Sequence, residues 1–360
     1  MTSTRRDTLR TAEQLLAGGL IADHDLARVE EISRRFAIAI TPHVRDLIAG
    51  ASIADPMADP IADPIAAQFV PSHAELALSA DELEDPIGDG AHMPLPGIVH
   101  RYPDRVLFKP MHVCPVYCRF CFRREMVGPG SESLTDEQID NALAYIESRQ
   151  EIWEVVVSGG DPLIMSARRI RHIMNRLQSI AHIGVVRFHT RVPVVKPDAV
   201  TQGLIEALRI KKAVYIVLHT NHVNELSDET KAVCARLIDA GFPMLSQTVL
   251  LRGVNADAST LEQLFRALVE MRIKPYYLHH GDLARGTKHF RTSIADGQQI
   301  MRSLRGHVSG LCQPLYVLDI PGGNGKVPIG PVYLNEQAVG QYRVEDYKGN
   351  QHSYQESLRR

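Results

Sequence analysis

Within about the first 50 residues, apolar side chains recur at helical spacing: Leu15, Leu16, Leu20, Ile21, Leu26, Val29, Ile32, Phe36 and Ile38, with Asp and Arg between them. Apolar positions three and four apart share one face of a helix, so residues 1–53 are expected to form a helical region. A short repeat follows, ADPMADPIADPIA from Ala54, with proline at every fourth position. Proline at that density fixes φ and removes amide donors, which excludes a helix interior. Residues 54–100 therefore read as a Pro/Asp-rich linker that goes on to wrap the main domain. From residue 104 the pattern turns to short β-branched runs alternating with amphipathic stretches. Strands are expected at Arg105–Lys109, Glu154–Ser158, Val185–His189, Val214–His219, Met244–Val249 and Pro275–His279. Helices are expected over Asp136–Arg149, Ala167–Ile180, Pro197–Lys211, Asp228–Ala240 and Ala258–Met271. Strands alternating with helices give a parallel sheet with helical crossovers, here a complete or partial β/α barrel over residues 101–300. A last extended segment, Pro314–Ile320, leads into the loop PGGNGK within a C-terminal segment, residues 301–360.

Composition changes this picture little. The chain is 44% hydrophobic and 23% charged with a formal net charge of -2, which suits a globular protein and gives no reason to expect a nucleic-acid partner. No apolar run nears the roughly 20 residues of a membrane span. The N-terminus carries arginines but no apolar run with a small-residue cleavage site, so a cytoplasmic protein is expected. Five cysteines, three of them within eight residues, do not form a secreted disulfide framework. Cys234 and Cys312 stand alone and are expected to be small buried core residues.

The other three carry the chemistry. HVCPVYCRFCFRRE places Cys114, Cys118 and Cys121 as Cys-x3-Cys-x2-Cys directly after the first expected strand. Three thiolates on one tight loop can hold three irons of a [4Fe–4S] cubane, leaving the fourth iron for a small chelating molecule. A zinc site is the competing assignment; it normally needs a fourth Cys or His, and His112 is at hand. The pattern, with Phe120 just before the third cysteine, resembles the radical S-adenosylmethionine (SAM) enzymes. The next strand ends in Ser158, Gly159, Gly160, Asp161 and Pro162. Consecutive glycines permit close backbone approach and expose amides, and radical SAM proteins carry a similar segment that receives the methionyl amino group. Polar or Gly-rich residues follow other strands too, at Thr190-Arg191, Thr220-Asn221 and Gly281-Asp282. In such barrels the C-terminal strand ends build the active site.

The blocks HRYPDRVLFK, CRFCFRREMVG, VVVSGGDPL, TRVPVV, LHTNHVNE, QTVLLRGVN, KPYYLHHGDL and DIPGGNGK together resemble the lysine 2,3-aminomutases, in that family's order. The resemblance implies a partial (β/α)6-type radical SAM barrel, flanked by the helical region and the C-terminal extension. It implies a [4Fe–4S] cluster, SAM and pyridoxal phosphate (PLP), and migration of an amino group from Cα to Cβ. It nominates Lys326 as the PLP Schiff-base lysine, Arg101 and Arg105 for the PLP phosphate, and Tyr276 or Tyr277 to stack on the ring. His219 and Gln247 match positions lining the SAM pocket. Arg123 matches the residue for the substrate α-carboxylate, and Asp282 with Asp319 those for the ε-ammonium of L-lysine. A buried cation needs paired anions, so two aspartates favour lysine over glutamate. Longer relatives carry a zinc site built partly on a mid-chain cysteine; that position here is Asp257, and no cysteine follows Cys312, which speaks against zinc. The resemblance also implies a flavodoxin or ferredoxin as electron donor and leaves homo-oligomerisation open. The alternatives are the same migration on another amino acid, such as glutamate, or a cluster-binding protein without aminomutase activity.

Overall fold

Strands follow one another in space as they do in sequence. The computed structural model describes residues 7–48, 63–128 and 133–357; most of the ADP repeat lies outside them. The strands are β1 (Ile98–Tyr102), β2 (Arg105–Met111), β3 (Glu154–Gly159), β4 (Val185–Thr190), β5 (Ala213–His219) and β6 (Met244–Val249). They continue with β7 (Ile273–His279), β8 (Leu315–Asp319) and β9 (Lys326–Pro328). All nine form one sheet in sequential order. Strands β2 to β8 are parallel, and β1 and β9 run antiparallel at the two edges. Crossovers that always advance by one strand keep the helices on one face and curl the sheet into a partial barrel. Its two edges come close: the Lys326 amide on β9 donates to the Tyr102 hydroxyl on β1 at 2.8 Å.

The six expected parallel strands are β2–β7, and the last extended segment is β8. The helices also lie where expected, at Asp136–Glu147, Ala167–Ser179, Asp228–Asp239 and Ala258–Glu270. The stretch Pro197–Lys211 divides: Pro197–Ala199 makes one 3₁₀ turn, and the helix runs only over Gln202–Leu208, because Thr201 caps it by accepting from the Leu204 amide. Asp257 likewise caps Ala258–Glu270 by accepting from the Thr260 amide. The N-terminal residues form short helices, Ala12–Ala17, Leu26–Arg35 and Pro42–Leu47, whose Leu15, Val29, Ile32 and Val44 share one core with the barrel. Cys234 and Cys312 are buried in that core. Three strands, β10 (Leu334–Ala338), β11 (Gln341–Glu345) and β12 (Gln351–Gln355), make a separate antiparallel sheet with exposed outer strands and a half-buried β11. Among the described residues no helix is long and apolar enough to cross a membrane.

Candidate active site

Two adjoining cavities open at the C-terminal ends of the parallel strands. The first, about 140 Å³, is walled by Cys114, Cys118 and Cys121 from the loop after β2 and by Ser158 to Asp161 from the end of β3. Gly159 has φ of 110°, and a Cβ there would sit 2.4 Å from the Met111 carbonyl; one on Gly160 would sit 2.3 Å from that of Val113. The glycines thus let β3 press against the base of the cysteine loop. The Gly160 and Asp161 amides donate to those same carbonyls, at 2.8 and 3.0 Å, so they anchor the loop rather than standing free for a ligand. The Asp161 carboxylate is likewise occupied, accepting from the Thr190 hydroxyl and the Arg191 and Val192 amides, which ties the end of β3 to the end of β4.

From the other side the loop is clamped by residues for which no role was expected. The Tyr117 amide donates to the Ala39 carbonyl and the Arg119 amide to that of Gln68. Glu75 is fully buried and binds the guanidiniums of both Arg119 and Arg124. Burial pushes its carboxyl up, but the two cations outweigh burial and hold it down at about 2. All three cysteines are free, and burial raises each thiol, that of Cys118 to about 11. Among the described residues no three His, Cys, Asp or Glu side chains converge as ligands of one ion. Cys114, Cys118 and Cys121 line one cavity, and three thiolate donors there fit a cubane that takes each sulfur on a different iron.

The second cavity, about 430 Å³, shares Ser158, His219, Gln247, Arg123 and Asp282 with the first and extends to Arg101, Arg105, Tyr277, Asp319 and Lys326. His219 and Gln247 are register partners on β5 and β6, so their side chains face the same way. Burial lowers His219 to about 3, so its ring is neutral; it lies 3.2 Å from His189. On β7, Pro275 pairs with Ser246 and Tyr277 with Gln247, leaving Tyr276 as the extra residue of a bulge. A bulge breaks the alternation of faces, and the two tyrosine rings lie 3.8 Å apart with hydroxyls 2.9 Å apart. Of the two, Tyr277 lines the cavity.

Charge in this cavity is divided. At one end Asp89 bonds to three cations: Arg123 through Nε and Nη2 at 3.1 and 3.0 Å, Lys109 at 3.3 Å and Arg101 at 3.3 Å. Burial opposes its ionisation, but Arg123 and Lys109 outweigh burial and keep its carboxyl below the usual range. Arg105 lies over the Tyr102 ring and pairs with Asp104. At the other end Lys326 opens β9 directly opposite Asp319 on β8, and the register brings their side chains into an ion pair. His279 lies 3.2 Å from both. Burial raises Asp319, yet His279 and Lys326 more than reverse this and hold it well below the usual carboxylate range. Asp282 makes no such pair. Burial first, then the charge of Asp319, pushes its carboxyl up to about 7.

Comparison with known proteins agrees with this geometry. The radical SAM superfamily model matches residues 108–265, and the model described as lysine-2,3-aminomutase matches residues 301–359. An L-lysine 2,3-aminomutase of Clostridium subterminale is 37% identical over 98% of this chain and 83% of its own length. The chain belongs to the lysine 2,3-aminomutase family. A glutamate 2,3-aminomutase of Clostridioides difficile is also similar, 36% identical over 89% of this chain and 74% of its own. Among solved structures, a radical SAM methyltransferase from Sphaerobacter thermophilus aligns with a TM-score of 0.42 at 18% identity, over 61% of this chain and 68% of that one. Membership in the lysine 2,3-aminomutase family makes this a radical SAM enzyme of the isomerase class. A radical SAM enzyme works with a [4Fe–4S] cluster and SAM.

Proposed function

We propose that the chain converts L-lysine to β-lysine by moving the amino group from Cα to Cβ, using PLP beside the cluster and SAM. The observation that carries this reading is the division of charge in the larger cavity. A cationic end with Arg123 suits the α-carboxylate, and an anionic end with Asp282 and Asp319 suits the ε-ammonium. Asp319 already holds an ammonium, that of Lys326. Glutamate would bring a second carboxylate to two aspartates, a repulsion offset at that end only by the Lys326 ammonium that Asp319 already holds.

In this reading Cys114, Cys118 and Cys121 hold the cluster, and Ser158, Gly159, His219 and Gln247 line the SAM side. Lys326 would bind PLP, Arg101 and Arg105 its phosphate, and Tyr277 its ring. When bound, the cluster and SAM supply a carbon radical that takes hydrogen from Cβ, and PLP supplies the conjugation through which nitrogen migrates. The chain's own work is positional. Burial lowers the pKa of Lys326, which favours the neutral amine that a carbonyl-binding lysine needs, while Asp319 pulls the other way. Arg123 and the aspartate pair would fix both ends of the substrate, so that Cβ alone faces the adenosyl side. Misplacement by ~1 Å would cost about 100-fold in rate. Thiolate ligation of iron suits a reducing, cytoplasmic setting, with a flavodoxin or ferredoxin as the one-electron donor.

The test is anaerobic reconstitution with iron, sulfide and PLP, then dithionite, SAM and L-lysine, with products resolved by mass. β-Lysine from the wild type, and none from Lys326→Ala or Cys118→Ala, is the expected result. Accumulation of 5′-deoxyadenosine without β-lysine would leave the radical SAM core standing and overturn the substrate.

A further inference from the structure

We infer that Arg191 sets the reduction potential of the cluster by donating a hydrogen bond to the sulfur of Cys118, with Glu225 as its opposing charge. The inference rests on the cluster assignment above and is independent of the amino-acid substrate. Arg191 follows β4 and is 7% exposed. Its Nη1 lies 3.1 Å from Cys118 Sγ. The other branch of the guanidinium, Nη2, is held by Gln68 Oε1 at 2.6 Å and Glu225 Oε2 at 2.7 Å. Glu225 is 1% exposed and is fixed through its second oxygen by the Asn221 and His222 amides, at 2.8 and 2.9 Å, and by Gln68 Nε2 at 3.2 Å. The guanidinium stacks between the Phe69 and Phe120 rings, 4.8 and 5.1 Å from their centroids. It has no freedom to turn away from the sulfur.

Cys114 and Cys121 are met by the backbone amides of Asp161 and Arg123, and among the described residues only Cys118 accepts from a guanidinium, so the three ligands are not equivalent. Reduction adds one electron to the cluster, supplied by a low-potential one-electron donor, and makes no new bond. The added negative charge spreads onto the sulfurs. A hydrogen bond and a nearby positive charge stabilise the reduced form more than the oxidised one, and so raise the potential. A buried anion behind the guanidinium does the reverse. The pair is therefore a dial with two opposed settings, whereas a purely structural clamp on Gln68 and Glu225 would predict no sign.

The reconstituted full-length protein, without SAM or lysine, would be titrated with dithionite and low-potential dyes and followed by the electron paramagnetic resonance of the reduced cluster. Iron and sulfide content establishes first that each variant carries the cluster; a wild type without it would sink the family assignment rather than this inference. Arg191→Met keeps the apolar stem and removes donor and charge. Its reduced-to-oxidised ratio at fixed poise should fall about tenfold, which is 59 mV for a one-electron couple. Glu225→Gln keeps Arg191 and removes the anion, so its ratio should rise. The double variant should lie between the two single ones. If Arg191→Met does not hold a cluster, Glu225→Gln and Arg191→Lys decide the matter. Arg191→Lys keeps the charge and should fall by less than Arg191→Met is expected to. Equal potentials across the variants that hold a cluster, or shifts of one sign in both Arg191→Met and Glu225→Gln, would overturn the proposal.

Discussion

The two ends of the larger cavity solve the problem of buried charge in opposite ways. Asp89 is 1% exposed and surrounded by Lys109, Arg101 and Arg123, so its charge is stabilised within the fold itself. Asp282 faces the same cavity with no hydrogen-bonded cation, and its carboxyl sits near 7. One carboxylate is a finished piece of structure that aims two arginines. The other is an unfinished pair, which in the proposed reading a cation from outside would complete. A count of charged residues would treat them alike, and their partners show that only one is already paired within the fold.

The largest expected effects follow from breaking the unfinished end. If Asp319 and Asp282 receive the substrate ammonium, removing either leaves a cation without its partner. Breaking a buried pair costs about 3–5 kcal/mol, so Asp319→Asn or Asp282→Asn should lower kcat/KM for lysine by on the order of a hundred- to a thousandfold. Norleucine has the same backbone and no ammonium, and its slower turnover should change far less. Steady-state kinetics on both substrates check this: selectivity for lysine collapses if the aspartates read the ammonium and survives if they do not.

Fold stability sharpens the contrast and should move the other way. Asp89→Asn strands the buried Lys109 and two half-buried arginines, and should destabilise the protein by about 3 kcal/mol in urea unfolding. Asp282→Asn should cost nothing at about pH 8. An acid whose folded value is raised contributes stability below its unfolded value, and that contribution is lost as pH rises through the folded one, here about 7. The neutral amide removes a strained anion, so the variant that loses turnover should match or exceed the wild type in stability. If Asp282→Asn proves as unstable as Asp89→Asn, the distinction between the two ends fails.

Much of this was legible in the sequence because each signal was local. β-Branched runs separated by amphipathic stretches placed six parallel strands to within a residue or two, and the cysteine spacing marked one loop. What escaped was set by partners distant in the chain. Val99 lay in the stretch expected to wrap the main domain and Tyr102 just ahead of the first expected strand; the antiparallel pairing with Leu107 and Arg105 that makes them strand β1 is a matter of register. Lys326 was expected in a loop, yet β9 pairs with β8 and puts it opposite Asp319. Asp89, Glu75 and Gln68 lie in the Asp- and Pro-rich stretch that suggested only a wrap. Their acidic or amide side chains gain meaning from Arg123, Arg119 and Arg191, which lie 34, 44 and 123 residues further along. The Tyr276 bulge left no local trace either, since alternation alone puts neighbouring tyrosines on opposite faces.

The smallest effect is the most specific to the unfinished end. With its carboxyl near 7, Asp282 is half protonated in neutral solution, and an arriving ammonium must first displace that proton. Asp319 is held well below the usual range and stays ionised throughout, and His219, lowered to about 3, stays neutral. Neither contributes a slope near neutrality. The affinity for lysine should therefore fall as pH drops through about 7, by about tenfold between about pH 8 and about pH 6, since each unit below a group's pKa costs about 1.4 kcal/mol. Changes in PLP binding and in cluster reduction act on both substrates, so the ratio of lysine to norleucine kcat/KM isolates the carboxyl. That ratio should climb with pH in the wild type and lie flat in Asp282→Asn. A wild-type ratio independent of pH would mean that the ammonium is read by Asp319 alone.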